Sequence, residues 1–326
     1  MASKVPSTFR RWIATQLTQK FREAVELQTV PVPSLKPNQV LVKNRYLGVN
    51  ASDINLTAGR YDPSHRPPLP VGMEGVGVVV DAGPECKNAP GQPVVYQAWG
   101  AYGEYMVVED KHVFQIPAVR PEYLTVPVSA LTAALALDQV GEIKAGETVL
   151  VTAAAGGTGQ CAVQLAKKAG CHVIGTCSSD EKVEFLKTLG CDRAINYQKE
   201  NLNKVLKEEY PKGVDCVYES IGGDVFDVCV NRLAQKGRLI VIGFITGYET
   251  SLGYSQPNQL YGLPAKLLNK SASVRGFLLF HYAHLFKEYS TRLISWLQDG
   301  TLRGFVDNGE GTTRDRSGAS NQLLTL

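Results

Sequence analysis

The segment 149–159 has the residue types and spacing to bind a dinucleotide. An apolar, β-branched run leads into a glycine-rich turn, Ala154-x-Gly156-x-x-Gly159, with alanine in the first glycine position. A small first residue allows a sharp reversal of the chain, Gly156 lets the backbone approach a pyrophosphate, and Gly159 lets a helix lie close to the sheet. Unpaired N–H groups at the start of that helix, predicted over 160–169, would face the phosphates. A tight strand–helix turn without a ligand is the alternative.

The residues after the next predicted strand, 171–176, indicate which dinucleotide binds. A site that prefers NAD places Asp or Glu near the end of this strand, where it binds the ribose hydroxyls. This chain has Cys177 there, followed by Ser178 and Ser179, with Lys182 one helical turn later. Because hydroxyls and a cation suit a 2′-phosphate, the pattern predicts NADP(H).

Some of the residues around this part of the predicted site have a second interpretation. Ser178-x-x-Glu181 is also a capping box, and both roles can hold because a helix N-terminus is itself an anion site. Asp180 and Glu181 lie too far along the chain to bind the ribose and suit a first helical turn. Tyr197, at the end of the third predicted strand, can reach the adenosine end of the cofactor, and a core tyrosine is the alternative.

Composition narrows the class of protein. A chain of 326 residues allows two domains of ordinary size. The net charge of +3 is small and the charges are mixed, so we expect neither a nucleic-acid partner nor a membrane-surface patch. No apolar run approaches the length of a membrane span. The seven cysteines are scattered and odd in number, which favours reduced thiols in an intracellular protein.

The pattern along the chain predicts two domains and a tail. Residues 1–125 contain short alternating strands with Pro/Gly turns, typical of an irregular β-barrel. Residues 126–280 alternate continuous apolar strands with helices, which predicts a doubly wound parallel sheet covered on both faces. Residues 281–307 would form a helical segment that returns toward the first domain. Residues 308–326 are polar without periodicity and are predicted to be a disordered tail.

Seven segments resemble a known family. They are GVNASDIN (48–55), GRYDP (59–63), GMEGVG (72–77), CSSDEK (177–182), YES (218–220), VIGFI (241–245) and KSASV (270–274). With the two predicted domains they resemble the medium-chain dehydrogenase/reductase superfamily and its quinone-oxidoreductase branch. Within that branch they look most like the prostaglandin reductase 3 family. The resemblance implies an α/β fold, with a GroES-like β-barrel domain and a Rossmann domain.

The resemblance also implies an activity. Members of this family use NADPH to reduce the 13,14 double bond of 15-oxo-prostaglandins, an enone, by delivering hydride to the β-carbon. An NADPH quinone oxidoreductase is the alternative enzyme. A catalytically weak NADPH-binding protein is the alternative outside the enzymes. A homodimer and a peroxisomal location are further implications of the family.

The resemblance carries cofactor contacts onto matching positions. Together with the two motif glycines, the set is Gly156, Thr158, Gly159, Ser178, Lys182, Tyr197, Ser220, Ile242, Tyr248, Phe277, Leu278 and Leu279. Thr158 lies in the phosphate turn, and Ser220 and Ile242 follow the fourth and fifth strands of the sheet. The stretch 277–279 would meet the nicotinamide carboxamide through backbone groups. On sequence alone, Ile242 and this stretch would be interpreted as core.

We expect no metal at the reacting centre. Zinc-dependent relatives carry Cys and His ligands in the first and third of these segments, where this chain has Ala51 and Met73. Without zinc, hydrogen bonds must stabilise the charge that develops on the carbonyl oxygen. Tyr61 is the candidate donor, and a packed tyrosine below a proline-rich loop is the alternative. Asn50 is expected to be structural and to bond the loop backbone.

The C-terminal sequence departs from the family. Relatives continue with two further strands that return to the barrel domain, whereas this chain has a polar segment after residue 307. We therefore expect an unpaired strand edge in the barrel. The Ser-Lys-Leu type of ending is also absent, so a cytoplasmic location is an alternative to the peroxisome.

Overall fold

The computed structural model contains two units. Short antiparallel strands form most of the first, and alternating strands and helices form the second. The residues that the structure describes are 5–62, 64, 66–251, 253 and 262–307, with the backbone alone of 322–324. The barrel unit contains Met1–Val128 and His284–Leu326, and the parallel-sheet unit contains Ser129–Ala283. The sequence suggests boundaries after residues 125 and 280, and the structure divides after Val128 and Ala283.

Antiparallel strands form the barrel unit. They are β1 (Thr8–Ala14), β2 (Val25–Pro31), β3 (Gln39–Val49), β4 (Leu69–Pro70), β5 (Glu74–Ala82), β6 (Pro93–Gln97), β7 (Tyr105–Glu109) and β8 (Val113–Gln115). Short helical segments connect them at α1 (Phe21–Ala24), α2 (Asp53–Thr57), Asp110–His112 and Pro121–Thr125. Along β3, Val40 and Val42 join one buried cluster and Leu41 joins another, because successive side chains point to opposite faces of a strand.

The strand order of the barrel unit brings two of the family segments together. One sheet has the order β2-β1-β4, and the other has the order β3-β5-β6-β8, with β7 also paired to β3. Strand β3 ends at Val49 and β5 begins at Glu74. The two strands are antiparallel, and Leu47 lies opposite Gly75. The chain that leaves β3 therefore lies beside the chain that enters β5.

The parallel-sheet unit alternates strands with helices. Its strands are β9 (Thr148–Val151), β10 (His172–Cys177), β11 (Arg193–Asn196), β12 (Val214–Glu219), β13 (Leu233–Val241) and β14 (Ser273–Gly276). Its helices are α3 (Leu131–Leu135), α4 (Gly157–Lys168), α5 (Asp180–Thr188), α6 (Leu202–Glu209), α7 (Gly223–Asn231) and α8 (Leu263–Lys270). The helical run around α3 continues through Ala136–Val140, and shorter turns lie at Ile245–Gly247 and Leu279–Leu285.

The order of the parallel sheet identifies where a ligand can bind. It is β11-β10-β9-β12-β13-β14, and every neighbouring pair is parallel. The direction of winding reverses between β9 and β12, and ligands of such sheets bind beyond the carboxyl ends of the strands at this switch point. The predicted doubly wound fold is therefore confirmed. Leu150, Ile174 and Val217, from three adjacent strands, have no exposed surface and lie in its core.

One helical run in the described part of the chain is long and apolar enough to cross a membrane by length and composition. It covers Pro121–Val140, and 78% of its most apolar window is buried inside the protein. Helices in the core of a soluble protein pass the same test, so this run is weak support for a membrane span.

The C-terminal region contains a helix and a strand. Helix α9 (Phe286–Gln298) belongs to the barrel unit. Strand β15 (Gln322–Leu324) pairs antiparallel with β3, with Leu323 opposite Gly48. The expectation of an unpaired barrel edge is therefore wrong at this position, and three residues of the predicted disordered tail are a strand. The remaining residues of that tail lie outside the described part of the chain.

Candidate functional site

The glycine-rich turn between β9 and α4 has the geometry of a phosphate-binding turn. Its sharp reversal lies at Ala153, which has a φ of +45°, and not at Ala154 as the motif predicts. Gly156 is the N-cap in extended conformation, with φ −80° and ψ 175°. The helix begins at Gly157 rather than at residue 160. The first N–H groups of a helix lack partners within it, so this turn presents donors beyond the end of β9.

Gly159 allows the helix to approach the turn closely. A Cβ atom at this position would lie 2.3 Å from the carbonyl oxygen of Ala153 and 2.8 Å from the Cα of Ala154. Backbone atoms cannot move away as the end of a flexible side chain can. The glycine is therefore required by the contact between the helix and the turn, as the motif predicts.

The side chain of Thr158 is already engaged within the unit. Its hydroxyl donates to the carbonyl oxygen of Ser129 at 3.2 Å and makes a short hydrogen bond with the hydroxyl of Tyr218. Tyr218 is fully buried. What residue 158 can offer to a phosphate is therefore its backbone N–H, as part of the first turn of α4.

The structure separates the roles of the two serines that follow β10. The hydroxyl of Ser179 caps α5 by accepting from the N–H of Lys182 at 3.2 Å. The interpretation of Ser178 as the capping residue is therefore wrong. Instead, the hydroxyl of Ser178 accepts from the ammonium group of Lys182 at 3.2 Å. A hydroxyl and a cation thus lie together just beyond the end of a parallel strand, where a 2′-phosphate of NADP would be held.

Tyr197 lies beside this pair of residues. Cys177, the last residue of β10, is in register with Asn196, the last residue of β11, and the N–H of Tyr197 donates to the carbonyl of Cys177 at 3.0 Å. Tyr197 is 50% exposed, so the alternative of a core tyrosine is wrong. Its position permits contact with the adenosine end of a dinucleotide.

Asp180 lies next to the same site, and its charge is compensated. One carboxylate oxygen accepts from the side-chain amide of Asn196 at 2.8 Å, and the other forms an ion pair with Lys199. The hydrogen bond from Lys199 lowers the pKa of Asp180. Sequence reasoning identified Asp180 but not these two partners, since they come from β11 and the turn after it.

Ser220 and Ile242 follow the ends of two neighbouring strands. The N–H of Ser220 donates to the hydroxyl of Thr152 at 2.9 Å, which connects the ends of β12 and β9. The N–H of Ile242 donates to the carbonyl of Glu219 at 2.7 Å, which connects β13 and β12. Both residues are half-buried, so Ile242 is not a fully buried core residue.

Glu219 was missed by the sequence analysis. Its buried carboxylate accepts from the N–H groups of Ile221 at 2.8 Å and Gly222 at 3.1 Å, and burial raises its pKa. It therefore fixes the turn that carries Ser220. Tyr248 packs against the turn after β13, because a Cβ on Gly243 would lie 2.5 Å from its hydroxyl oxygen.

In the stretch 277–279, which is proposed to face the nicotinamide, some of the backbone groups are already hydrogen-bonded within the protein. The N–H of Phe277 donates to the carbonyl of Val241 at 3.1 Å, and the carbonyl of Leu278 accepts from His281 at 3.0 Å. The ring of Phe277 stacks on Tyr282 with centroids 5.0 Å apart. Phe277 and Leu279 are buried, whereas Leu278 is 37% exposed. The other backbone groups of 277–279 are the ones that a carboxamide could use.

The barrel unit carries the candidate donor Tyr61. Its ring is half-buried and lies 5.9 Å from the ring of Trp99, tilted by 55°. It also packs against the apolar cluster that contains Leu47, Leu56 and Val71. The alternative of a packed tyrosine is compatible with these contacts, and the role of Tyr61 as donor stays a prediction.

A buried polar network lies where β3 ends and β5 begins. The side-chain amide of Asn50 donates to Glu74 Oε1 at 2.8 Å, so the expectation that Asn50 bonds the loop backbone is wrong. The backbone N–H of Asn50 donates to Asp53 Oδ2 at 2.8 Å, and the hydroxyl of Tyr102 donates to the same oxygen at 2.5 Å. Burial raises the pKa of Asp53 to about 6 and the pKa of Glu74 to about 8.

The residues of this region do not fit a zinc ion. Ala51 has no ligating atom, and Met73, which is 4% exposed, offers a thioether in place of imidazole. The carboxyl groups of Asp53 and Glu74 already accept hydrogen bonds from Asn50, Tyr102 and the backbone. Among the described residues, no group of three or more His, Cys, Asp and Glu could hold a metal ion.

Comparisons with known proteins define the class. Residues 36–118 match the alcohol dehydrogenase GroES-like domain family, and residues 157–299 match the zinc-binding dehydrogenase family. A quinone oxidoreductase structure from Pseudomonas syringae has a TM-score of 0.81 and 26% identity, covering 98% of this chain and 100% of the other. A mycobacterial protein solved in complex with NADPH has a TM-score of 0.78 and 26% identity, covering 92% and 91%.

Sequence similarity narrows the class to one family. Prostaglandin reductase-3 of Mus musculus is 53% identical over 94% of this chain and 82% of the relative. A probable quinone oxidoreductase of Leishmania amazonensis is 42% identical over 93% of this chain and 90% of the relative. The chain therefore belongs to the prostaglandin reductase-3 family of the medium-chain dehydrogenase/reductase superfamily.

Proposed function

We propose that this protein is an NADPH-dependent reductase of carbon–carbon double bonds conjugated to a carbonyl group. The observation that carries the proposal is the 53% identity to prostaglandin reductase-3, which extends over 94% of the chain. An NADP(+)-dependent 2-alkenal reductase of Nicotiana tabacum is also 33% identical over 88% of the chain. Enones and 2-alkenals share the conjugated carbonyl, which makes this chemistry common to both relatives.

The parallel-sheet unit supplies the residues for the cofactor. The first N–H groups of α4 would hold the pyrophosphate, and Ser178 with Lys182 would hold the 2′-phosphate. Ser220, Ile242, Tyr248 and the stretch 277–279 complete the proposed contacts. When bound, NADPH supplies the hydride that the β-carbon of the substrate accepts.

The barrel unit supplies the candidate group for the carbonyl oxygen. Hydride addition to the β-carbon places negative charge on that oxygen, and a preorganised donor stabilises this charge more than the neutral ground state. The hydroxyl of Tyr61 would donate there, and solvent would supply the proton to the α-carbon. A zinc ion is not needed for this reaction, and the side chains at and around Ala51 and Met73 do not fit one as ligands.

The test is an assay of the purified protein with NADPH and a panel of substrates. We expect reduction of enones and 2-alkenals, including 15-oxo-prostaglandins at the 13,14 double bond, with NADPH preferred to NADH. Product analysis should show a saturated ketone or aldehyde, not an allylic alcohol. No turnover of any enone at saturating NADPH would contradict the proposal.

A quinone reductase is the second candidate, favoured by the 42% identity to the Leishmania relative. The same assay separates the two, because a one-electron quinone reductase gives semiquinone radicals detectable by electron paramagnetic resonance. A homodimer and a peroxisomal or cytoplasmic location are also proposals from the family. Sedimentation measures the first and imaging of the tagged full-length chain measures the second.

A further inference from the structure

Glu74 is a buried, hydrogen-bonded carboxyl group that has no role in the reaction described above. We propose that Glu74 is a positioning residue, a neutral carboxylic acid that holds Asn50 and the backbone of Val128 and so fixes the segment that carries Tyr61. The proposal rests on the proposed function in one respect, since the effect on turnover requires Tyr61 or a neighbour in that segment to contact the substrate.

Three parts of the barrel unit meet at the carboxyl group of Glu74, which has no exposed surface. Oε1 accepts from the side-chain amide of Asn50 at 2.8 Å, and Oε2 accepts from the N–H of Val128 at 3.1 Å. A Cβ on Gly48 would lie 2.1 Å from Oε1, so the backbone of β3 lies directly against the carboxyl group. A change of position or charge at Glu74 would therefore reach β3, the Asn50 segment and Val128 together.

The chain from Asn50 to Tyr61 is fixed at several points. Asp53 bonds the N–H of Asn50 and the hydroxyl of Tyr102, which anchors the start of α2. After this helix, Arg60 donates through its side chain and its N–H to Asn55, each at 2.9 Å. The hydrogen bond between Asn50 and Glu74 attaches this segment to β5.

Burial and the neighbouring carboxyl of Asp53 favour the neutral form of Glu74, whereas the hydrogen bonds from Asn50 and Val128 favour its charged form. Asp53, from α2, is a second buried carboxyl in the same network, while Tyr96 and Tyr102 are buried neutral hydroxyls. The positive charge of Arg11, from β1, acts to lower the pKa of Tyr96. The guanidinium group of Arg11 donates to the carbonyl of Gly100 at 3.1 Å. Among the described residues, none of the ion pairs includes the carboxyl group of Asp53 or that of Glu74.

Burial without a cationic partner makes ionisation costly, and a neighbouring carboxyl adds repulsion. These two effects, of which burial is the larger, outweigh the hydrogen bonds from Asn50 and Val128 and raise the pKa of Glu74 from its ordinary value of 4.5 to about 8. A raised pKa in the folded state means that the native protein holds the proton more tightly than the unfolded chain. The stability that this proton contributes is fully present below about pH 4.5 and is lost as pH rises through about 8.

The experiment compares the full-length wild type with Glu74→Gln, which keeps the shape and cannot ionise. Its single side-chain oxygen can accept from only one of the two donors, Asn50 or Val128. The control is Glu104→Gln in the same unit, where the glutamate forms a partly exposed ion pair with Arg10. The measurements are kcat/KM for an enone between about pH 6 and 9.5, the NADPH Kd, and the infrared band of a protonated carboxyl. Unfolding midpoints are recorded over the same pH range.

We expect wild-type kcat/KM to fall about tenfold per pH unit above about 8, with the NADPH Kd unchanged. The fall should be absent in Glu74→Gln and retained in Glu104→Gln. The difference between the wild-type and Glu74→Gln spectra should contain a protonated-carboxyl band at neutral pH, and this difference band should disappear as pH rises through about 8. The unfolding midpoint should fall over this range in the wild type more than in Glu74→Gln.

Two results would overturn the proposal. One is an alkaline fall in kcat/KM that persists in Glu74→Gln, and the other is a wild type without a titrating carboxyl band. If no variant reduces any enone, the proposed function fails, while the band and the midpoints still decide the protonation of Glu74. If Glu74→Gln does not fold, the band measured with ¹³C-labelled glutamate decides it, provided that the band persists in Glu219→Gln, the other glutamate whose pKa is raised by burial.

Discussion

Lys182 and Ser178 are joined across one helical turn, with Lys182 Nζ 3.2 Å from Ser178 Oγ. The neighbouring Ser179 caps α5, so the hydroxyl of Ser178 is not needed for the helix. The strand β10 ends at Cys177, and the first acidic residues after it, Asp180 and Glu181, lie in the first turn of α5. The structure thereby places a cation and a hydroxyl where an enzyme that prefers NAD carries an acid.

Lys182→Ala should weaken NADPH binding and leave NADH binding almost unchanged. A hydrogen bond to a charged group contributes about 1–3 kcal/mol, which corresponds to roughly a 5- to 150-fold rise in Kd. Fluorescence titration measures both cofactors. Lys187→Ala is the matched control, because this lysine lies on the same helix and pairs with Glu184. Equal losses for NADPH and NADH would contradict the assignment to the 2′-phosphate.

The two serines should respond differently to substitution. Ser179→Ala removes the N-cap and should lower stability by about 1 kcal/mol, with a small effect on the preference for NADPH. Ser178→Ala should lower NADPH affinity and change stability by less. Thermal unfolding and cofactor titration of both variants provide the comparison. The opposite pattern would restore Ser178 as the cap.

The sequence predicted the parallel-sheet unit well because local patterns specify it. Apolar runs, glycine turns and helix periodicity are contained within short segments, and they located β9, α4 and the end of β10 near Cys177. The capping residue was misplaced by one position, because Ser178 and Ser179 are chemically equivalent in a motif. Only backbone dihedral angles distinguish them: Ser179 is extended before the first helical residue.

The network around Glu74 could not be predicted in the same way. Asn50 and Glu74 are 24 residues apart, and their contact depends on the pairing of β3 with β5. Both residues stand in segments that carry the family resemblance, yet spacing gives no sign that the two segments touch. The pairing of β15 with β3 is a similar case, since a three-residue strand in a polar tail has no periodicity to detect.

Gly159→Ala should disrupt cofactor binding and stability together. The added Cβ would lie 2.3 Å from the Ala153 oxygen, so the turn and α4 must separate. Overpacking typically costs about 1–3 kcal/mol, and a clash with backbone lies at the upper end of that range. Gly262→Ala is the control, because the nearest atom to its Cβ would be Lys266 Cε at 3.8 Å. Normal NADPH affinity in Gly159→Ala would contradict the close contact.

Enone turnover should not depend on a metal ion. The donor set near Ala51 and Met73 lacks the thiolate and imidazole ligands that zinc requires, although the matched family is described as zinc-binding. Dialysis against a chelator should leave kcat unchanged, and elemental analysis should find zinc far below one equivalent. Stoichiometric zinc that is lost together with activity would overturn this prediction.

Deleting residues 322–326 should impair the barrel unit and spare the cofactor site. Strand β7 pairs with Gln39–Lys43 and β15 with Leu47–Val49, so β15 continues the edge of β3 that β5 does not occupy. Removing it exposes unpaired backbone groups beside Gly48, whose backbone lies against Glu74.

We therefore expect a lower unfolding midpoint, reduced kcat/KM for an enone and self-association in sedimentation, with the NADPH Kd changed less than about twofold. Deleting only residues 325–326 is the control, because it retains all three residues that pair with β3. We expect the same kcat/KM in the wild type and in the deletion of residues 325–326, and a lower kcat/KM in the deletion of residues 322–326. Full turnover and the same sedimentation as the wild type in the longer deletion would show that the β3 edge does not need this strand.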